Sequence, residues 1–209
     1  MPVKDRLVER TLRAFSEDLA SERPVPGGGS ASAYAGALGA GLAAMVARIA
    51  AKKAPGQHDD YIAEVDNLRS DLLRLVDDDS AAYSRVAEAL KLPKTTDDEK
   101  KERQARMQAA LLAAARVPLE IARTCRRLLE SCERGVALAP AAAASDIGVG
   151  ALMAEAAIRG AALNVMINLA SLKDAAHVKT LSEDLDRAVD GADMLRKRIL
   201  DSVEARIAR

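Results

Sequence analysis

The chain has 209 residues, 49% hydrophobic but only 2% aromatic, with the apolar share carried by Ala and Leu. A sheet draws on β-branched and aromatic side chains, so an all-α bundle is expected instead. Thirty-one basic residues balance thirty-one acidic ones, which leaves no net field to select nucleic acid or an anionic membrane as partner.

Residues 3–19 place Val3, Leu7, Val8, Leu12, Phe15 and Leu19 at the three-to-four spacing of an amphipathic helix. Charges run from Lys4 to Arg13, so no signal peptide is read there and a cytoplasmic location is expected. Two prolines and three glycines in residues 21–29 break the pattern. A second helix is predicted over residues 30–53. Its stretch 31–51 is long enough to raise a membrane question, but it is mostly Ala and Gly, holds Arg48 and ends in Lys52 and Lys53. It reads as a central, buried core helix whose small residues let a neighbouring backbone come close. Ala54, Pro55 and Gly56 stop it, and a third helix follows with Val65, Leu68, Leu72, Leu75, Tyr83 and Val86 on one seam.

Residues 92–96 form a connector, and Thr96 with Glu99 makes the capping-box pattern of a fourth helix. Pro118 predicts a break or kink near its end, with a fifth helix running on to Arg134 and stopping at Gly135. An alanine-rich stretch interrupted by Pro140 leads to Ser145 and Asp146, either suited to cap a sixth helix that ends near residue 172. A last, highly charged helix is expected from about residue 174 to the C-terminus, with Leu181, Leu185, Val189, Met194, Ile199 and Val203 on its apolar side. The chain shows no repeat and no linker, which suits one domain over residues 1–209, a bundle of six to seven helices.

Few residues in this pattern carry chemistry. Pro26, Gly27, Gly28, Gly29 and Ser30 stand just before a long apolar helix. Exposed backbone N–H groups and the positive end of the helix dipole suit an anion there, and the same residues suit a hinge with a serine cap. Asp79 falls on the apolar seam of the third helix while Asp77 and Asp78 face outward; a carboxylate so placed needs a partner or a raised pKa. Asn164 and Asn168 lie one turn apart, with Gly160 on the same face, in an otherwise apolar segment. They suit either cross-helix bonding or contact with a ligand. Cys125 and Cys132 are two helical turns apart, too far for an easy disulfide, and read as buried free thiols. His58 and His177 have no partner at metal-ligand spacing, so no metal is expected.

The run Pro26-Gly27-Gly28-Gly29-Ser30, followed from Tyr34 by Ala-Gly-Ala-Leu-Gly-Ala-Gly-Leu-Ala-Ala-Met-Val, resembles the formimidoyltetrahydrofolate cyclodeaminase and methenyltetrahydrofolate cyclohydrolase family. Lys52-Lys53, Asp79 with Ala82-Tyr83, Leu92-Pro93-Lys94-Thr95, Arg103, Gln108, Val117-Pro118-Leu119, Ser145-Asp146 and Asn164-Val165-Met166-Ile167-Asn168 continue the likeness in order over nearly the whole chain. The resemblance implies an all-helical homodimer with a tetrahydrofolate site near the dimer interface, and no cofactor beyond the folate substrate. Both family reactions pass through a tetrahedral carbon bearing nitrogens, so they need a group that moves protons near neutral pH and donors that hold the pterin. On that footing Asp146 and Asp79 are expected to handle protons or hold the pterin, with Lys52 or Lys53 tuning one of them. Gln108, Asn164 and Asn168 are expected to contact substrate. The turn from Gly27, Gly28 and Gly29 to Ser30 is expected to bind the glutamate carboxylates or admit the ring system. A cyclodeaminase draws on a transferase that these residues do not contain, so hydrolysis of 5,10-methenyltetrahydrofolate is the expected main reaction. The alternatives are ammonia release from the formimidoyl compound and a silent folate-binding dimer.

Overall fold

A computed structural model describes residues 6–208. Seven α-helices make up the described residues together with two short 3-10 turns: α1 (Leu12–Leu19), α2 (Gly28–Ala51), α3 (Asp59–Lys91), α4 (Asp97–Leu138), α5 (Ala144–Leu169), α6 (Ala175–Val189) and α7 (Ala192–Ile207). The all-α expectation holds. One hydrophobic cluster runs through α2, α3, α4 and α5 and takes in the apolar faces of α6 and α7.

At the centre α2 and α5 run antiparallel. Gly28 lies against Asn164, Gly160 against Ser32, and Gly39 against Gly150. A Cβ on Gly39 would sit 2.9 Å from the Gly150 carbonyl oxygen, so these backbones touch directly and only glycine fits the crossing. The predicted buried helix is buried on one side only. Leu38, Met45 and Ile49 of α2, with Val149, Leu152, Leu163, Met166 and Ile167 of α5, remain exposed. Both helices are long and apolar enough to cross a membrane by length and composition, with about half of each apolar window buried in the chain.

Several boundaries differ from the sequence reading, each for a local reason. The first predicted helix is two pieces, and Val3 lies outside the described residues. Leu7–Glu9 is a 3-10 turn pinned to α3 by the Leu7 N–H, which donates to Asp77 Oδ1 at 2.6 Å. Thr11 then caps a separate α1 by accepting from the Ala14 N–H. The seam of α3 is buried through Val76 and continues through Ala82 and Ala89, whereas Tyr83 is exposed and Val86 is half-buried. The capping box of Thr96 and Glu99 is present.

Pro118 does not divide α4, which runs unbroken through it. A proline removes the N–H that the carbonyl four residues back would accept, here Ala114. Asn168 of α5 supplies the missing donor, its Nδ2 lying 3.0 Å from the Ala114 oxygen. Gly135 is likewise no stop signal. It lies inside α4, where a Cβ would overlap the Tyr61 hydroxyl and lie 3.1 Å from Ile147 Cδ1. Neither Ser145 nor Asp146 caps α5; a 3-10 turn, Ala141–Ala143, leads straight into it and Asp146 sits in its first turn. The predicted last helix breaks at Asp190 and Gly191, because Gly191 takes φ +64°, a left-handed conformation that glycine adopts without strain.

Candidate active site

The glycine run is a receptor for a carboxylate of the chain itself. Gly27 is the N-cap of α2, extended and without a side-chain cap. One residue into the helix, Gly29 is buried against α3, where a Cβ would overlap Asp79 Oδ1. Ser30 is fully buried, and its hydroxyl lies 2.9 Å from Asp79 Oδ2. Asp79 thus occupies the positive end of α2, the place that the sequence offered to a substrate anion. Ser30, expected to touch substrate, faces inward instead.

Burial pushes the Asp79 carboxyl above its ordinary value, and bonds from the Ser30 hydroxyl and N–H oppose that rise. Among the described residues no lysine, arginine or histidine acts on it. Its neighbours on α3 are engaged elsewhere, Asp77 with Arg6 at 3.0 Å and Asp78 with Arg74 at 2.5 Å. The sequence reading overlooked Ser80, whose Oγ lies 3.2 Å from Ser30 Oγ. A hydroxyl beside the seam aspartate was its only trace.

Asn164 belongs to this end of the molecule, its Nδ2 lying 3.1 Å from where a Gly28 Cβ would stand. That nitrogen also donates to the Gly160 carbonyl at 2.9 Å. Asn168 spends both N–H bonds of its amide nitrogen within the fold: besides Ala114 it donates to the Asn164 carbonyl at 2.8 Å. Gln108 too is spent on backbone, its Nε2 donating to Ser171 O at 3.1 Å and its Oε1 accepting from the Lys173 N–H at 2.7 Å. Both therefore brace the framework behind Asn164 rather than offer their amides to a ligand.

The other predicted residues stand at the far end. Asp146 is half-buried at the start of α5, eighteen residues before Asn164, roughly 27 Å at 1.5 Å per residue. Lys52 and Lys53 follow the C-terminus of α2, exposed and without an ion pair among the described residues. Lys52 edges an open groove with Met45, Arg48, Ile49 and Arg69. One chain therefore does not bring Asp79 and Asp146 together, and neither lysine tunes Asp79. Behind the Asp146 end, α3 and α4 are locked by Tyr61, which donates to Ser131 O at 3.0 Å, and by Ser131, which donates to Glu64 at 2.7 Å.

Chemically, the Asp79 end holds a half-buried carboxylate without a countercharge beside an amide. Such a group attracts a cation and exchanges a proton at a higher pH than a free aspartate. The Lys52 and Asp146 end adds cationic and acidic groups on an otherwise apolar face.

The chain matches the family described as Formiminotransferase-cyclodeaminase over residues 11–187. It is similar to the methenyltetrahydrofolate cyclohydrolase of Methylorubrum extorquens, 35% identical over 202 residues, 94% of this chain and 97% of that protein. It is also similar to the formimidoyltransferase-cyclodeaminase of Gallus gallus, 35% identical over 97% of this chain but only 38% of that longer protein. Among solved structures, the formiminotetrahydrofolate cyclodeaminase of Thermotoga maritima superposes with a TM-score of 0.82 at 26% identity, covering 94% of this chain and 97% of that one.

Proposed function

The chain belongs to the formiminotransferase-cyclodeaminase family, and from that premise we propose that it is an enzyme of one-carbon metabolism that hydrolyses 5,10-methenyltetrahydrofolate to formyltetrahydrofolate. The observation that carries this reading is Asp79, half-buried, fixed at the start of α2 and met by no cation among the described residues. The methenyl bridge is an amidinium, a carbon between two nitrogens that share one positive charge. It supplies the countercharge that Asp79 lacks.

The reaction needs one proton-handling group. Water adds to the bridging carbon, and Asp79 takes a proton from it as the amidinium charge is quenched. The same proton then goes to the departing nitrogen, the C–N bond breaks, and the hydroxyl of the tetrahedral carbon loses its proton to leave the formyl group. The net change is uptake of water and release of one proton, within the reach of a single carboxylate whose pKa is raised. Asn164 and the N–H of the exposed Gly28 are the groups we assign to hold the ring system.

Asp146, Lys52 and Lys53 enter this site from a second copy of the chain. The exposed sides of α2 and α5 carry eight large apolar side chains, Leu38, Met45 and Ile49 with Val149, Leu152, Leu163, Met166 and Ile167, a set that suits burial against a second copy. A two-fold axis across the middle of these antiparallel helices sets the Asp79 end of one chain beside the Asp146 end of the other. The homodimer thus supplies both carboxylates to each site.

Identity does not separate hydrolysis from ammonia release, since the cyclohydrolase relative and the Gallus gallus formimidoyltransferase-cyclodeaminase are each 35% identical. Hydrolysis is preferred on the permanent positive charge of the methenyl bridge, which Asp79 faces without a cation among the described residues. Purified protein given methenyl- and formimidoyl-tetrahydrofolate side by side is expected to turn over the first faster. Asp79→Asn and Asp146→Asn are expected to remain folded by circular dichroism and lose most of that activity. Faster ammonia release would make the chain a cyclodeaminase; full activity in both variants would remove the carboxylates from the mechanism.

A further inference from the structure

The Ser30 hydroxyl has one proton and three oxygens around it: the Val76 carbonyl at 3.0 Å, Asp79 Oδ2 at 2.9 Å and Ser80 Oγ at 3.2 Å. It is completely buried, so no substrate or bulk water competes for it. A hydroxyl donates once and accepts twice. With Asp79 ionised, Ser30 donates to Oδ2 and accepts from Ser80. With Asp79 protonated, the carboxyl proton points to Ser30 Oγ, Ser80 still donates to that oxygen, and Ser30 turns its own proton to the Val76 carbonyl. That carbonyl is never orphaned, because within α3 it also accepts from the backbone four residues on. Both charge states therefore leave the buried Ser30 hydroxyl and Asp79 Oδ2 bonded to each other, with no polar atom of Ser30 orphaned.

We propose that Ser30, backed by Ser80, is a positioning residue that lets Asp79 pass between carboxylate and carboxylic acid without moving. The inference rests on reading Asp79 as the proton-handling group of the site. Among the described residues, nothing charged acts on the carboxyl from the elements around it. On α3, Asp77 and Asp78 are paired with Arg6 and Arg74. The preceding segment pairs Arg10 and Arg23 with Asp18. The first charged residue of α2 is Arg48, and α5 offers the neutral Asn164. Burial and the Ser30 bonds are what act on Asp79, so changing Ser30 changes its proton affinity directly.

The test is the titration of the Asp79 carboxyl itself, read as the infrared or 13C signal that disappears in Asp79→Asn. It is compared in wild type, Ser30→Ala and Ser80→Ala, alongside kcat and KM for methenyltetrahydrofolate across the same pH range. Ser30→Ala removes a donor to the charged form. The Asp79 midpoint should therefore move up by about one pH unit, the worth of one hydrogen bond to a charged group. The matching limb of kcat should move with it while KM stays within about twofold. Ser80→Ala should shift both in the same direction by less. An unmoved midpoint in folded Ser30→Ala overturns the relay. A midpoint that moves while the kcat limb does not upholds the relay and removes Asp79 from the chemistry. Should Ser30→Ala not fold, an unmoved midpoint in Ser80→Ala overturns the proposal alone.

Discussion

Burial gives Asp79 a pH-dependent effect on stability. A carboxyl whose folded pKa lies above its unfolded value holds its proton more tightly when folded. Its contribution to stability is therefore complete below about pH 3.8, the ordinary aspartate value, and is lost as the pH rises through the raised folded value. At neutral pH an ionised Asp79 costs the fold something that a neutral amide of the same shape does not. Asp79→Asn is expected to melt above the wild type at pH 7, with the difference shrinking to nothing as the pH falls to about 3.8. Thermal denaturation across that range checks it; a variant that melts below the wild type at pH 7 would mean that the Ser30 bonds outweigh burial. The position of Asp79 on a buried seam was legible from its spacing after Leu72 and Leu75. Its partner was not, because the carboxylate meets Gly29 and Ser30, some fifty residues earlier, only when α2 crosses α3.

Among the elements, α4 is the one whose sequence misleads. Pro118 and Gly135 are both breakers, yet the helix continues from Asp97 to Leu138. Continuity at Pro118 depends on the Asn168 amide, which satisfies the Ala114 carbonyl from another helix. Asn168→Ala should cost about 1–3 kcal/mol, the loss expected for a buried carbonyl left unpaired. Pro118→Ala returns a backbone donor to that carbonyl, so in the double variant the loss of Asn168 should cost clearly less. Urea unfolding of the four proteins completes the cycle; additive losses would show that Asn168 and Pro118 act independently. Gly135 survives inside the helix because Tyr61 and Ile147 fill the space its missing side chain leaves. Pairing of this kind is invisible in a one-dimensional pattern, where a proline or glycine counts only against its own helix.

At the scale of the whole molecule, the exposed sides of α2 and α5 are the surface through which the proposed dimer would form. Light scattering at micromolar concentration is expected to give a dimer, and a monomer would contradict it. Because Asp79 and Asp146 stand at opposite ends of α5, the proposed composite site has a sharper consequence. Asp79→Asn and Asp146→Asn proteins, each nearly inactive alone, should recover activity when unfolded together and refolded. Random pairing makes half the dimers mixed, each with one intact site, so about a quarter of the wild-type activity should return. No recovery in a mixture shown to contain heterodimers would place both carboxylates outside a shared site.

Composition and period by themselves determined the helical class, the run of α2, the seam of α3 as far as Val76 and the capping box at Thr96. Each depends on local rules, in which side-chain size, spacing and backbone freedom act within a few turns. What the tertiary structure decided is what each singled-out residue does. It filled the glycine-rich helix start with Asp79, turned Ser30 inward, committed Gln108 and Asn168 to backbone, and separated Asp146 from Asp79 by most of the length of α5. Those outcomes follow from helix crossings between segments far apart in sequence, where a polar atom takes whichever partner the packing brings within hydrogen-bond reach.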